Sequence, residues 1–162
     1  MSGGYYDVAQ VCVNGHVVND KARKNPEYNA PFCDKCGGAT IICCTECASY
    51  IQGDFVGGRI AFISSQTMAP PSFCPQCGHA HPWTDSKIKA AIEMFAEEVT
   101  DAAEQKAFQD NLNAISKDTP QVEVAAVRIR KQIAMLGKSA GVSILKMVVD
   151  VAAEAIKKSI SG

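Results

Sequence analysis

Beyond residue 85 this 162-residue chain has no cysteine, no histidine, no tyrosine and no tryptophan. Whatever thiol or imidazole chemistry the protein has must therefore lie in residues 1–85. A basic excess is also missing. Residues 1–85 carry five Lys/Arg against seven Asp/Glu, and residues 86–162 carry eleven against ten. Proteins that hold nucleic acid through its phosphates draw most of their affinity from such an excess. Nucleic acid is thus a disfavoured partner, although a local patch stays open. The chain also lacks an uncharged apolar run. Ser139 to Ile160 comes nearest, but Lys146, Asp150 and Glu154 interrupt it every fourth residue. Three charges are costly in hydrocarbon, so no membrane span is expected. Finally, Met1-Ser2-Gly3-Gly4-Tyr5-Tyr6 has neither the basic nor the apolar part of a signal peptide. Without export, paired thiols favour zinc over disulfides, and a reducing cytoplasm is the expected compartment.

What the first half does have is metal-ligand pairs. Cys12 pairs with His16, Cys33 with Cys36, Cys44 with Cys47, and Cys74 with Cys77. Three are C-x2-C knuckles and the first is C-x3-H. Eight ligands make two tetrahedral sets, the arithmetic of two structural zinc ions. Glycine follows two of the knuckles, at Gly37 and Gly78, and eases the positive-φ turn a knuckle needs. The third, Cys44-Thr45-Glu46-Cys47-Ala48, has the spacing without the glycine. Strand-like runs lie beside the knuckles at Val8–Val13, Thr40–Cys43 and Arg59–Ser64, as in a zinc ribbon. Residues 53–59 read as the tip of a long insertion, and residues 64–72 as a polar, proline-punctuated loop.

Two pairings of the ligands are open. Sequential pairing puts Cys12, His16, Cys33 and Cys36 on one zinc, and Cys44, Cys47, Cys74 and Cys77 on the other. A cross-brace, as in RING domains, would interleave them. The apolar pair Ile41-Ile42 between Cys36 and Cys44 suits a strand leading into a second ribbon, which favours sequential pairing. His16 has one competitor, Cys43, whose ordinary role is a small residue on a strand. His79 and His81 follow a complete set, so they are expected to be exposed or to pack on Trp83. Both sets are full and rich in thiolate, with no open position for water. Two structural zincs and no catalytic residue are therefore expected. Tyr50, Phe55, Phe62 and Trp83 are expected to plug small ribbon cores rather than stack on bases.

The second half reads as helical. Thr84 or Asp85 caps a helix from Ser86, with Ile88, Ala91, Ile92, Phe95 and Val99 at helical spacing. Asp101 with Glu104 marks a capping box, and Phe108, Leu112 and Ile115 form the face that follows. Asp118-Thr119-Pro120 predicts the next start, with Val122, Ala126, Ile129, Ile133 and Leu136 on one face. Arg128 and Lys131 read as part of a solvated face. Gly137 and Gly141 kink or break the chain before a last helix over 139–160. That helix is apolar nearly all round except for the pairs Lys146–Asp150 and Glu154–Lys158. It is expected to drive self-association, with a monomeric bundle as the alternative.

Tyr5 to His16, Phe32-Cys33-Asp34-Lys35-Cys36-Gly37, Phe73-Cys74-Pro75-Gln76-Cys77-Gly78, Pro82-Trp83-Thr84 and Asp118-Thr119-Pro120 carry a resemblance. The tail ending Asp150-Val151-Ala152-Ala153-Glu154 extends it. The chain resembles an uncharacterised bacterial family catalogued as a domain of unknown function. The resemblance implies a double zinc ribbon followed by helices, with the eight ligands named above, and no activity. Cys43 and His79 depart from the family's pattern. The expected architecture is α+β: tandem zinc ribbons over 1–85 and a helical region over 86–162. The expected role is protein interaction or scaffolding. The alternatives are a nucleic-acid-binding ribbon and a RING-like accessory of an enzyme system.

Overall fold

Short apolar runs beside tight turns can pair only over a few residues, and the strands observed are correspondingly brief. The structure, a computed structural model, describes residues 4–57, 68–117, 119–152, 157 and 160. The chain divides into two compact units, Met1–Asp85 and Ser86–Gly162.

Among the described residues the first unit holds five strands: β1 (Tyr5–Val8), β2 (Gln10–Cys12), β3 (Val17–Asn19), β4 (Thr40–Ile41) and β5 (Gln52–Val56). They form two small antiparallel sheets, β1-β5 and β3-β2-β4. The single strand expected over Val8–Val13 is in fact two, broken at Ala9. The Ala9 amide donates to the Ile51 carbonyl instead (2.9 Å), so the chain changes sheets there. Thr40–Cys43 shortens to Thr40–Ile41. The run Arg59–Ser64 and the side chain of Phe62 lie outside the described residues. Residues 53–56, expected at a loop tip, instead belong to β5 and pair with β1. Gly53 makes that possible, because a Cβ there would run into the Asp20 carbonyl oxygen and the backbone of Val8.

Ala9, Val11, Ile51 and Trp83 form a small core, with Val17, Ile41 and Met68 packed against it. This apolar cluster is small, so polar side chains contribute much of the remaining order. Gln10, nearly buried, donates to the Ala30 carbonyl (3.0 Å) and Thr40 Oγ1 (2.9 Å), and accepts from the Ala30 amide (3.0 Å). It ties residues 30 and 40 to β2.

The helices are α1 (Pro82–Glu98), α2 (Ala102–Ser116), α3 (Val122–Ala134) and α4 (Lys138–Val151). α1 starts four residues earlier than the reading from Ser86. Pro82 occupies the first helical position, where a missing N–H costs nothing, and the His81 carbonyl accepts from Thr84 (2.9 Å) and Asp85 (3.1 Å). Asp101 caps α2, its side chain accepting from the Glu104 amide at 2.8 Å. α3 begins two residues after Pro120 rather than at it, because Thr119 to Gln121 first make a turn closed by Val122 N–H to Thr119 C=O (3.0 Å). Gly137 is the N-cap of α4, so it is a break. Gly141 is no kink. It is buried inside α4, where a Cβ would meet the Ile133 carbonyl at 3.3 Å, so α3 and α4 approach closely there.

The helical core contains Ile88, Ala91, Phe95, Phe108, Leu112, Ile115, Val122, Ala126, Ile129 and Ile133, as periodicity predicts, and adds Ile144 and Val148. Phe95 and Phe108 stack with centroids 4.0 Å apart. α4 buries one stripe, Gly141, Ile144, Val148 and Val151, within this core. It therefore uses much of its apolar surface inside the chain. Val142, at 68 % exposure, stays outside. The pair Glu154–Lys158 lies outside the described residues. Among those residues no helix is long and apolar enough to cross a membrane.

Candidate metal centres

Each C-x2-C pair is closed by the same two backbone bonds. The first cysteine's amide donates to the carbonyl five residues on, and its carbonyl accepts from the residue four on. Cys33 does so with Gly38 and Gly37 (2.9 and 2.8 Å), Cys44 with Ser49 and Ala48 (2.8 and 3.0 Å), and Cys74 with His79 and Gly78 (2.8 and 2.8 Å). The chain must turn left-handed at the residue after the second cysteine. Gly37, Ala48 and Gly78 all do, with φ of 68, 57 and 73°. Ala48 is the one non-glycine with positive φ among the described residues. The C-x3-H turn is one residue tighter: Cys12 N–H reaches His16 C=O (2.9 Å), with Gly15 at φ 88°.

The same repeat explains Cys43. A lone β-bridge flanks each knuckle: Phe32 to Ala39, Cys43 to Tyr50, and Phe73 to Ala80. Cys43 thus occupies the position that phenylalanine holds in the other two. It lies in neither ligand cluster. The sequence offered this signal, since each of the three residues immediately precedes a C-x2-C pair, but only the register shows that they are equivalent.

The ligand atoms gather into two groups, Cys12/His16/Cys33/Cys36 and Cys44/Cys47/Cys74/Cys77, each with all atoms within 4.8 Å of one another. This is the sequential grouping and not a cross-brace. Within the first, Cys12 Sγ lies 3.7 Å from Cys36 Sγ and 3.5 Å from His16 Nδ1, and Cys33 Sγ lies 3.7 Å from the same nitrogen. Within the second, Cys44 to Cys77 is 3.8 Å and Cys47 to Cys74 is 3.6 Å. Four sulfurs about 2.3 Å from a tetrahedral metal lie about 3.8 Å apart, and a sulfur and an imidazole nitrogen about 3.5 Å apart. The observed edges have the dimensions of metal tetrahedra, so both groups fit a metal ion.

Donors surround the sulfurs. The His16 amide donates to Cys12 Sγ (3.3 Å) and the Asn14 side-chain amide to Cys36 Sγ (3.3 Å). The Ser49 hydroxyl lies 3.1 Å from both Cys47 and Cys74 Sγ. Asn14 and Ser49 were not among the residues singled out by spacing, because spacing finds ligands and not the groups that hydrogen-bond to them. The Asn14 amide, helped by the Gly38 amide and His16, holds the Cys36 thiol down to about 6. Ser49, with the Cys77 and Gln76 amides, does the same for Cys74, also to about 6, and Ser49 lowers Cys47. Burial raises Cys12. At Cys77 the His79 amide pulls down, but lost solvation and the sulfurs of Cys47, Cys74 and Cys44 outweigh it and hold the thiol up at about 12. Thiolates crowded into one small volume repel each other, so some ionise readily and at least one resists. A divalent cation at the centre removes that conflict.

The chain belongs to a bacterial family. The model of that family, described as "Uncharacterized protein conserved in bacteria (DUF2321)", matches residues 5–160. The match covers both ligand groups and α1 to α4. No curated protein and no solved structure matches the chain. The DUF2321 description carries no activity, so any functional reading rests on the residues.

The histidines after the last knuckle divide as expected. His79 is exposed, 4.0 Å from Glu46, and such a pair contributes little. His81 is buried and stacks on Trp83, with centroids 4.7 Å apart. Two aromatics expected in the ribbon core are not there. Tyr50 is half-exposed beneath the Arg23 guanidinium (4.3 Å), and Phe55 is half-exposed edge-on to Tyr6 (5.3 Å). Register explains Phe55: it faces Tyr6 on β1, across a sheet too small to have a buried second face.

Proposed function

We propose that the protein is a non-catalytic, two-zinc ribbon module that binds a partner protein and self-associates through its C-terminal helices. Cys12, His16, Cys33 and Cys36 would hold one zinc, and Cys44, Cys47, Cys74 and Cys77 the other. In this reading the metal supplies folding energy rather than Lewis acidity, because four protein donors leave no position for a substrate. Cysteines that hold metal rather than pair in disulfides suit a reducing cytoplasm.

The observation that carries the interaction reading is an aromatic surface on β1 and β5. Tyr5, Tyr6 and Phe55 are each about half-exposed or more, beside a groove of about 370 Å³ lined by Tyr6, Gly53, Met68, Pro71 and Phe73. Exposed aromatics on a rigid support are the usual anchors of protein interfaces. The near-balanced charge argues against a phosphate-rich partner. For self-association the support is the exposed apolar set Val124, Val127, Met135 and Val142 on or beside α3 and α4.

The test is to recover the protein, with its metals, from its own cell, as the native chain and as Tyr6→Ala/Phe55→Ala. The expected result is a protein partner present with the first and lost with the second, while both retain two zincs. A nucleic acid released by salt would replace this reading with the alternative. Light scattering tests the helices, and a monomer at high concentration would end the self-association claim.

A further inference from the structure

We propose that Ser49 is a tuning residue of the second metal centre, its hydroxyl donating across the Cys47–Cys74 edge to damp the charge of a four-thiolate site. The inference rests on the metal reading above and goes beyond its ligand set. Ser49 Oγ is equidistant, at 3.1 Å, from two sulfurs that lie 27 residues apart in the chain. Its place is fixed by the knuckle repeat, because the Ser49 carbonyl accepts from the Cys44 amide at 2.8 Å. The equivalent positions are Gly38, which has no side chain, and His79, whose ring is exposed towards Glu46. Of the three C-x2-C turns, this one alone places a hydroxyl against the sulfurs.

The two centres differ in the charge they must tolerate. A divalent ion with three thiolates and a neutral imidazole carries one negative charge. With four thiolates it carries two. The first centre has His16 as its neutral ligand and the Asn14 amide as a donor to Cys36 (3.3 Å). The second has no neutral ligand, and Ser49 is its side-chain donor. A hydrogen bond to a metal thiolate withdraws electron density from sulfur, which slows loss of the metal and attack by electrophiles. Charge-assisted hydrogen bonds of this kind are among the stronger ones.

The experiment uses the full chain loaded with two equivalents of Co²⁺ and compares Ser49→Thr with Ser49→Val, which differ by a hydroxyl for a methyl. Ser49→Thr is expected to keep the native sulfur-to-cobalt charge-transfer spectrum. Ser49→Val is expected to shift part of it to lower energy, and to release one of its two metals to a chelator about tenfold faster. The other metal should leave at the native rate. If the Val variant does not fold, Ser49→Gly, which copies the Gly38 position, takes its place with the same expectation. Thr and Val behaving alike, or a change shared equally by both metals, overturns the proposal. A native chain that takes up fewer than two cobalt ions overturns the metal reading itself, and the Ser49 proposal with it.

Discussion

Three equivalent turns, two with glycine and one with alanine, allow the left-handed backbone to be tested in isolation. The perturbation is Ala48→Gly, with Gly37→Ala and Gly78→Ala as its mirror images. At Gly37 and Gly78 an added Cβ would meet nothing within 4 Å, so sterics beyond the backbone drop out. What remains is φ, which is 57, 68 and 73° at residues 48, 37 and 78. An L-residue there costs about 1–2 kcal/mol relative to its preferred regions. Glycine offsets part of this by losing more chain entropy on folding, roughly 0.5–1 kcal/mol. The net expectation is that Ala48→Gly stabilises the first unit by about 0.5–1 kcal/mol, and that each Gly→Ala change destabilises it by a similar amount. Trp83 is the chain's single tryptophan and sits in the core of that unit, so its fluorescence follows this unit's unfolding. Denaturant midpoints should be read at fixed excess zinc, since free metal shifts apparent stability. An Ala48→Gly midpoint at or below the native one, with Gly37→Ala and Gly78→Ala unchanged, would refute the reasoning.

Other outcomes follow from the same geometry. Cys77→Ser should bind one zinc fewer and lose the cooperative Trp83 transition, as should the native chain treated with a strong chelator; a cooperative transition surviving chelation would contradict the coupling of metal to folding. His81 is 1 % exposed, and neither ring nitrogen has a partner among the described residues, so burial holds its pKa below the usual value. The unfolded chain then binds this proton more readily than the native one. Stability contributed by neutral His81 is complete above about pH 6.5 and is lost as pH falls below it. His81→Phe should therefore gain on the native protein as pH is lowered from 7 to 5.5, and a difference that does not change with pH would sink the assignment. Phe108→Ala, at a fully buried stacked ring, should cost the helical unit about 3–5 kcal/mol by far-UV circular dichroism. A loss under 1 kcal/mol would mean the Phe95–Phe108 stack is not central.

The parts of this molecule that were legible in its sequence are those where one residue type has one physical use. Cysteine at C-x2-C spacing has few roles, and the ligand clusters fall where the spacing puts them. Apolar residues at a 3.6-residue period likewise give the buried faces of α2 and α3. Legibility fails where a residue's use depends on what crosses it. Gly53 reads as a loop residue until the Asp20 carbonyl is seen to need its space. Cys43 reads as a rival to His16 or a small strand residue until its bridge to Tyr50 is set beside those of Phe32 and Phe73. Ser49 carries no signal of its own in the sequence, because it is the last knuckle, far along the chain, that brings Cys74 to its hydroxyl. The aromatics misread in the same way: Tyr50 and Phe55 have core-like chemistry, but Tyr50 lies half-exposed under Arg23 and Phe55 sits half-exposed on the two-stranded sheet β1-β5. Ligand spacing is local and survives in one dimension. The hydrogen bonds and contacts that distinguish one metal centre from the other are made between segments, so they are written only in three.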